Sequence, residues 1–83
     1  MEQILKLGEW AVVEQGWLMK RRIMFAGESS PGIYSIVAEW LKNHNAAAYN
    51  IYFHKGQDEF PFFNGKITII DVSGKELHFR FIK

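Results

Sequence analysis

The stretch Ser30–His44, Ser-Pro-Gly-Ile-Tyr-Ser-Ile-Val-Ala-Glu-Trp-Leu-Lys-Asn-His, constrains the fold of this chain more than any other, because it alone follows a clean helical period. At about 100° per residue, Ile33, Ile36, Val37, Trp40 and Leu41 gather on one side, with Ser35, Glu39, Lys42 and Asn43 on the other. Two local signals agree with that period. A residue ahead of proline is pushed towards extended geometry, which suits Ser30 as an N-cap, and Pro31 fits the first helical position, where a missing N–H costs nothing. Near His44-Asn45, asparagine tolerates the left-handed conformation that ends helices. The sequence therefore predicts one amphipathic helix of about four turns.

Both flanks read as strand. Residues 3–15, if helical, scatter Ile4, Leu5, Leu7, Trp10, Val12 and Val13 around the whole circumference and put Gly8 in the interior at about 1 kcal/mol. As a strand, Glu9–Glu14 is short and partly β-branched, with Gly8 at its start or in a bulge and a turn at Gln15-Gly16. Trp17–Phe25 forms the return arm of that hairpin. Trp17, Met19, Ile23 and Phe25 share one face, interrupted by Arg21, while Leu18, Lys20, Arg22 and Met24 share the other. After the helix, Tyr49, Ile51 and Phe53 alternate with Asn50, Tyr52 and His54. Asn64-Gly65 between apolar arms is a strong hairpin signal, and Pro61 keeps the first arm short or at an edge. Ser73-Gly74 turns the chain once more, into Leu77, Phe79 and Phe81 alternating with Glu76, His78 and Arg80.

The expected fold class is therefore α+β: a β-hairpin, one helix, then an antiparallel β-meander (ββαβββ-like), with the helix packed on one face of the sheet. Residues 1–83 read as a single domain, since 83 residues are near the size at which one core suffices and no linker or repeat interrupts them. One helix covers only one face of such a sheet. The other face, with Ile70, Val72 and Ile82 among Thr68, His78 and Arg80, suits a homodimer contact or a ligand surface. The 16% aromatic content fits either use.

Composition excludes several classes. With no cysteine there is neither a disulfide framework nor a thiolate metal site. A net charge of +1 is too balanced to argue for nucleic acid or a membrane on its own. The start Met1-Glu2-Gln3 lacks the basic residues and apolar run of a secretory signal, and no apolar stretch approaches the ~18 residues that span a bilayer. The expectation is a cytoplasmic protein with no membrane partner.

Five groups of residues carry candidate chemistry. Tyr52 and His54 on one strand, with His78 and Arg80 on another, would form a ligand-binding or acid–base patch if those strands were neighbours, since imidazole titrates near neutrality. Without adjacency they are the polar halves of two amphipathic strands. Lys20, Arg22 and Arg80 supply phosphate-neutralising charge for a nucleic-acid surface, yet no recognisable nucleic-acid motif accompanies them and alternation sends Arg21 to the opposite side. Gly27–Gly32 opens the expected helix, where an anion could rest, but Pro31 removes a donor and Glu28 repels. His44, His54 and His78 with Asp58, Glu59 and Asp71 show no close metal-ligand spacing, so no metal and no cofactor is expected. Phe60-Pro61-Phe62-Phe63 reads as a lid over an open end of the core or as a contact patch for a partner. No serine stands in a nucleophile elbow, so no catalytic residue is assigned.

The sequence thus points to a small interaction module, self-associating through its sheet as a homodimer or taking a protein partner. A nucleic-acid-binding domain and a small-molecule binder or enzyme are the alternatives.

Overall fold

A computed structural model of the protein describes residues 2–83, and in it the central stretch is a strand rather than a helix. No helix occurs among the described residues; the fold is all-β, eight strands in two antiparallel sheets, which overturns the α+β expectation. Three local causes account for the correction. Five of the ten residues in Ile33–Lys42 are β-branched or aromatic (Ile33, Tyr34, Ile36, Val37, Trp40), side chains that suit a pleated surface. Pro31-Gly32, read as a helix entry, is the two-residue loop of a hairpin, with Ser30 opposite Ile33 and Gly32 at φ +78°. Proline followed by a glycine of positive φ is the composition a tight turn requires. Asn43, expected on the polar face of the helix, sits at φ +55° in the next hairpin loop, Asn43-His44, while Asn45, expected at the helix end, begins the following strand.

The helical period itself has a physical origin. The strand is central in its sheet: its inward Tyr34, Ile36 and Ala38 are buried, and its outward Val37 and Leu41 are half-buried. A strand with apolar residues on both faces loses its period of two, and a helical spacing then fits by chance.

The elements are β1 (Glu2–Lys6), β2 (Trp10–Gly16), β3 (Met19–Ser30), β4 (Ile33–Lys42), β5 (Asn45–His54), β6 (Glu59–Phe62), β7 (Gly65–Val72) and β8 (Glu76–Ile82). One sheet runs β1-β8-β7-β6 and the other β2-β3-β4-β5. Their facing sides share one core. It is built from Leu5, Phe60, Phe62, Ile67, Leu77, Phe79 and Phe81 of the first sheet and Ala11, Val13, Ile23, Phe25, Tyr34, Ile36, Ala38 and Phe53 of the second. Phe53 of β5 stacks on Phe60 of β6 at 5.4 Å between centroids, joining the layers at one side, so the ring cluster around Phe60 and Phe62 lies in the core. Phe63 stays partly exposed.

Hairpin positions are close to those the sequence suggests, with shifts of one or two residues. The first turn is Trp17-Leu18, beyond Gln15-Gly16, and the sixth and seventh strands meet at Phe63-Asn64, with Gly65 already paired to Phe62. Gly65 is needed for a different reason. A Cβ there would lie 2.5 Å from the Ile82 carbonyl oxygen and 2.9 Å from Phe81 Cζ, so only glycine lets β7 approach β8. A bulge between Ile69 and Asp71 also inverts one expectation: Val72, placed by alternation on the outer face, pairs with Leu77 and packs against the core. Ile70 and Ile82 remain exposed.

Candidate functional site

The second sheet is the longer one, and its core contacts run out before its strands do. Beyond Val13, Ile23, Ala38 and Ile51 no residue of β2–β5 towards the Trp17-Leu18 and Asn43-His44 loops is buried. Arg21 closes the core at that limit. Its guanidinium pairs with Glu14, lies 4.6 Å above the Phe63 ring, and donates to Asn64 Oδ1 at 3.3 Å. Lys83 Nζ reaches the other oxygen of Glu14 at 2.6 Å. The Lys83 ammonium and then the Arg21 guanidinium hold the Glu14 carboxyl below its ordinary value, against the opposing effect of burial. The interruption that Arg21 makes in an apolar face is therefore structural.

Past this closure the sheet ends in a free edge. All six residues of β5 from Asn45 to Asn50 are exposed, on both faces of the strand. The other edges are guarded in ways that discourage strand pairing. β1 has five residues and carries Glu2 and Lys6, β2 is bulged between Val12 and Glu14, and β6 has four residues and contains Pro61. β5 is ten residues long, Asn-Ala-Ala-Ala-Tyr-Asn-Ile-Tyr-Phe-His, with no proline, lysine, arginine or carboxylate, and its register with β4 is unbroken from Lys42↔Asn45 to Ile33↔His54. Ala46 and Ala47 lie ahead of the strand that the alternation predicts from Ala48 to Lys55, because alanine is a poor strand former, and an edge exists only once the sheet order is known.

The residues singled out from sequence are dispersed. Tyr52 and His54 lie on the outer face of the second sheet beside a shallow hollow of about 130 Å³ that they share with Ile33, Phe53 and Gln57. His78 and Arg80 lie on the outer face of the first sheet, on the far side of the core. There Glu2 engages both, accepting from Arg80 at 2.9 Å and facing His78 Nε2 at 2.7 Å. Arg80 and then His78 hold the Glu2 carboxyl below its ordinary value. Tyr52 and His54 are thus brought together, and so are His78 and Arg80, but the two pairs do not converge.

The three cations are split similarly. Arg22 is paired with Glu39 and stacked 4.1 Å from the Trp10 ring, Arg80 is paired with Glu2 on the other sheet, and Lys20 alone has no carboxylate partner among the described residues. His44 sits in a hairpin loop, apart from any helix end. Gly27–Gly32, read as a helix entry, instead closes the β3–β4 hairpin, where Glu28 Oε2 accepts from the Gly32 N–H at 2.9 Å. Among the described residues no three His, Asp or Glu side chains are grouped as metal ligands, and no helix is long and apolar enough to cross a membrane. No protein-family model, curated protein or solved structure matches the chain.

Proposed function

We propose that the protein is an interaction module that works by strand addition at the β5 edge, and that a second copy of the chain is the partner it takes most simply. The carrying observation is the contrast between β5 and the three guarded edges: ten residues in unbroken register with β4, free of lysine, arginine and carboxylate side chains, and exposed at each residue from Asn45 to Asn50. Unpaired N–H and C=O groups along such an edge template another strand, and side chains decide which one. Two copies related by a two-fold axis normal to the sheet would align their β5 strands antiparallel and extend the four-stranded sheet to eight. Small alanines at the centre of the segment let the two backbones meet without steric conflict. This places self-association at a sheet edge, where the sequence reading had put it on an outer face. The cysteine-free composition suits a reducing compartment, and a cytoplasmic site of action belongs to this reading.

Amide hydrogen exchange at low and high protein concentration tests it. Protection of amides within Asn45–Asn50 is expected to rise with concentration while that of β1 and β6 stays constant. Exchange along β5 that is fast and independent of concentration would reject self-association through this edge.

A further inference from the structure

The end of the second sheet that lies beyond the core carries a feature the β5 edge does not explain. In the two-residue loop Trp17-Leu18 between β2 and β3, Trp17 is 92% exposed and Leu18 56% exposed. An indole left almost wholly in water is unusual, because aromatic rings are the side chains with the most apolar area to hide. Leu18 also holds a left-handed backbone, φ +59°, which glycine or asparagine would adopt with less strain. The loop is braced, since the Asn43 N–H donates to the Leu18 carbonyl at 3.1 Å and ties this tip to the neighbouring hairpin loop.

The charge around the tip is of one sign. Lys20 and Lys42 flank it, opposite Leu41 and Met19 in register, and neither has a carboxylate partner among the described residues. The sequence contains no Asp or Glu from Gln15 to Gly27 or from Trp40 to Gln57. The nearest carboxylates along these strands, Glu14 and Glu39, are engaged by Arg21, Lys83 and Arg22. A Trp-Leu pair on an exposed loop, with Leu18 bordering a hollow of about 260 Å³ with Lys20 and with one unpaired ammonium group on each face of the sheet behind it, matches an anionic lipid surface in both polarity and charge. The indole suits headgroup depth, the leucine the acyl boundary, and the lysines the phosphate layer. A single-stranded nucleic acid fits less well. It needs successive rings along a groove, whereas this tip projects one ring and both nearby arginines are already engaged in ion pairs.

We infer that the Trp17-Leu18 tip is a peripheral anchor that docks the protein on anionic bilayers, with Lys20 and Lys42 supplying the charge contact. The sequence expectation of no membrane partner rested on net charge and on the lack of a spanning run, and neither measures a local tip. The site lies between β2 and β3, with β4 intervening before β5 in the sheet order, and the inference does not rest on self-association.

The test is co-sedimentation of the full chain with vesicles of phosphatidylcholine alone and of equimolar phosphatidylcholine and phosphatidylglycerol, together with tryptophan emission. Binding to the anionic vesicles with a blue shift is expected. Partitioning should weaken about thirtyfold for the Lys20→Ala/Lys42→Ala variant, taking about 1 kcal/mol for each lysine, and about tenfold or more for Trp17→Ala, with loss of the blue shift. Because Trp17 contacts little, Trp17→Ala should keep the wild-type urea midpoint, which separates loss of docking from loss of fold. Equal partitioning to both vesicle types, no partitioning at low salt, or unchanged binding by Trp17→Ala overturns the inference. So does capture of a single-stranded oligonucleotide in place of the vesicles.

Discussion

Replacing Ala38 by aspartate, in parallel with Val37→Asp, tests whether Ser30–His44 follows the period of a strand or of a helix. On a helix, Val37 lies within about 30° of the centre of the apolar stripe and Ala38 about 130° from it, so Val37→Asp would be the damaging change. In the structure the order reverses. Ala38 is fully buried, 0% exposed, between Ile23 of β3 and Tyr49 of β5 in register, with no cation opposite. Val37 points outward between Met24 and Asn50 and is half-buried. An unpaired carboxylate at Ala38 is expected to cost about 3 kcal/mol or more, whereas Val37→Asp should cost about 1 kcal/mol in lost burial and strand preference. A chain of 83 residues has about 4–12 kcal/mol of total stability. In urea, at about 1.5 kcal/mol per molar, the midpoint should therefore fall by about 2 M for Ala38→Asp and by less than about 1 M for Val37→Asp. Burial raises the pKa of the introduced carboxyl above its unfolded value, so the deficit of Ala38→Asp should shrink as the pH falls towards about 4. A near-wild-type midpoint for Ala38→Asp alongside an unfolded Val37→Asp would refute the strand assignment.

Two further substitutions probe the packing that positions the free edge. Gly65→Ala drives a methyl group to within 2.5 Å of the Ile82 carbonyl oxygen and should lower stability by about 1–3 kcal/mol, read as a lowered urea midpoint; an unchanged midpoint would mean that β7 and β8 are not so closely apposed. Because the carboxyl of Glu14 is held below the ordinary glutamate value of 4.5, its contribution is complete above that value and is lost as the pH falls through the lowered one. Glu14→Gln should therefore be less stable than the wild type at neutral pH and converge with it in acid, and a constant difference across that range would contradict the pairing with Lys83 and Arg21.

The legible part of the fold was local and periodic. Leu77, Phe79 and Phe81 alternate against Glu76, His78 and Arg80 on a strand whose outer face is polar, and that face allocation is the one observed. Tyr49–Phe53 and Ile23–Phe25 sit on strands for the same reason. β4 mimics a helix in sequence because it is flanked on both sides within its sheet and holds apolar residues on both faces, which erases the period of two. Pro31-Gly32 then supplied false support, since the dipeptide serves a helix start and a tight turn equally well. With one strand mistaken for a helix, one sheet was counted where there are two. The patch formed from Tyr52, His54, His78 and Arg80 depended on that count, and the two sheets hold its halves on opposite sides of a shared core. Neither the β5 edge nor the Trp17-Leu18 tip is visible to periodicity. An edge is defined by sheet order and a tip by where a turn falls, here two residues beyond Gln15-Gly16.

Light-scattering mass across a range of protein concentrations, for the wild type and for Ala46→Lys/Ala48→Lys, tests strand addition at β5 most directly. Both alanines are exposed and share the outer face, opposite Leu41 and Glu39, so lysines there leave the single chain intact. In a two-fold pairing of β5 strands they bring like charges together along the shared edge. The wild type should approach twice the chain mass of 9.7 kDa as concentration rises, and the variant should hold at one chain mass throughout. A wild type that stays at one chain mass, or a variant that associates as the wild type does, would contradict self-association through the β5 edge.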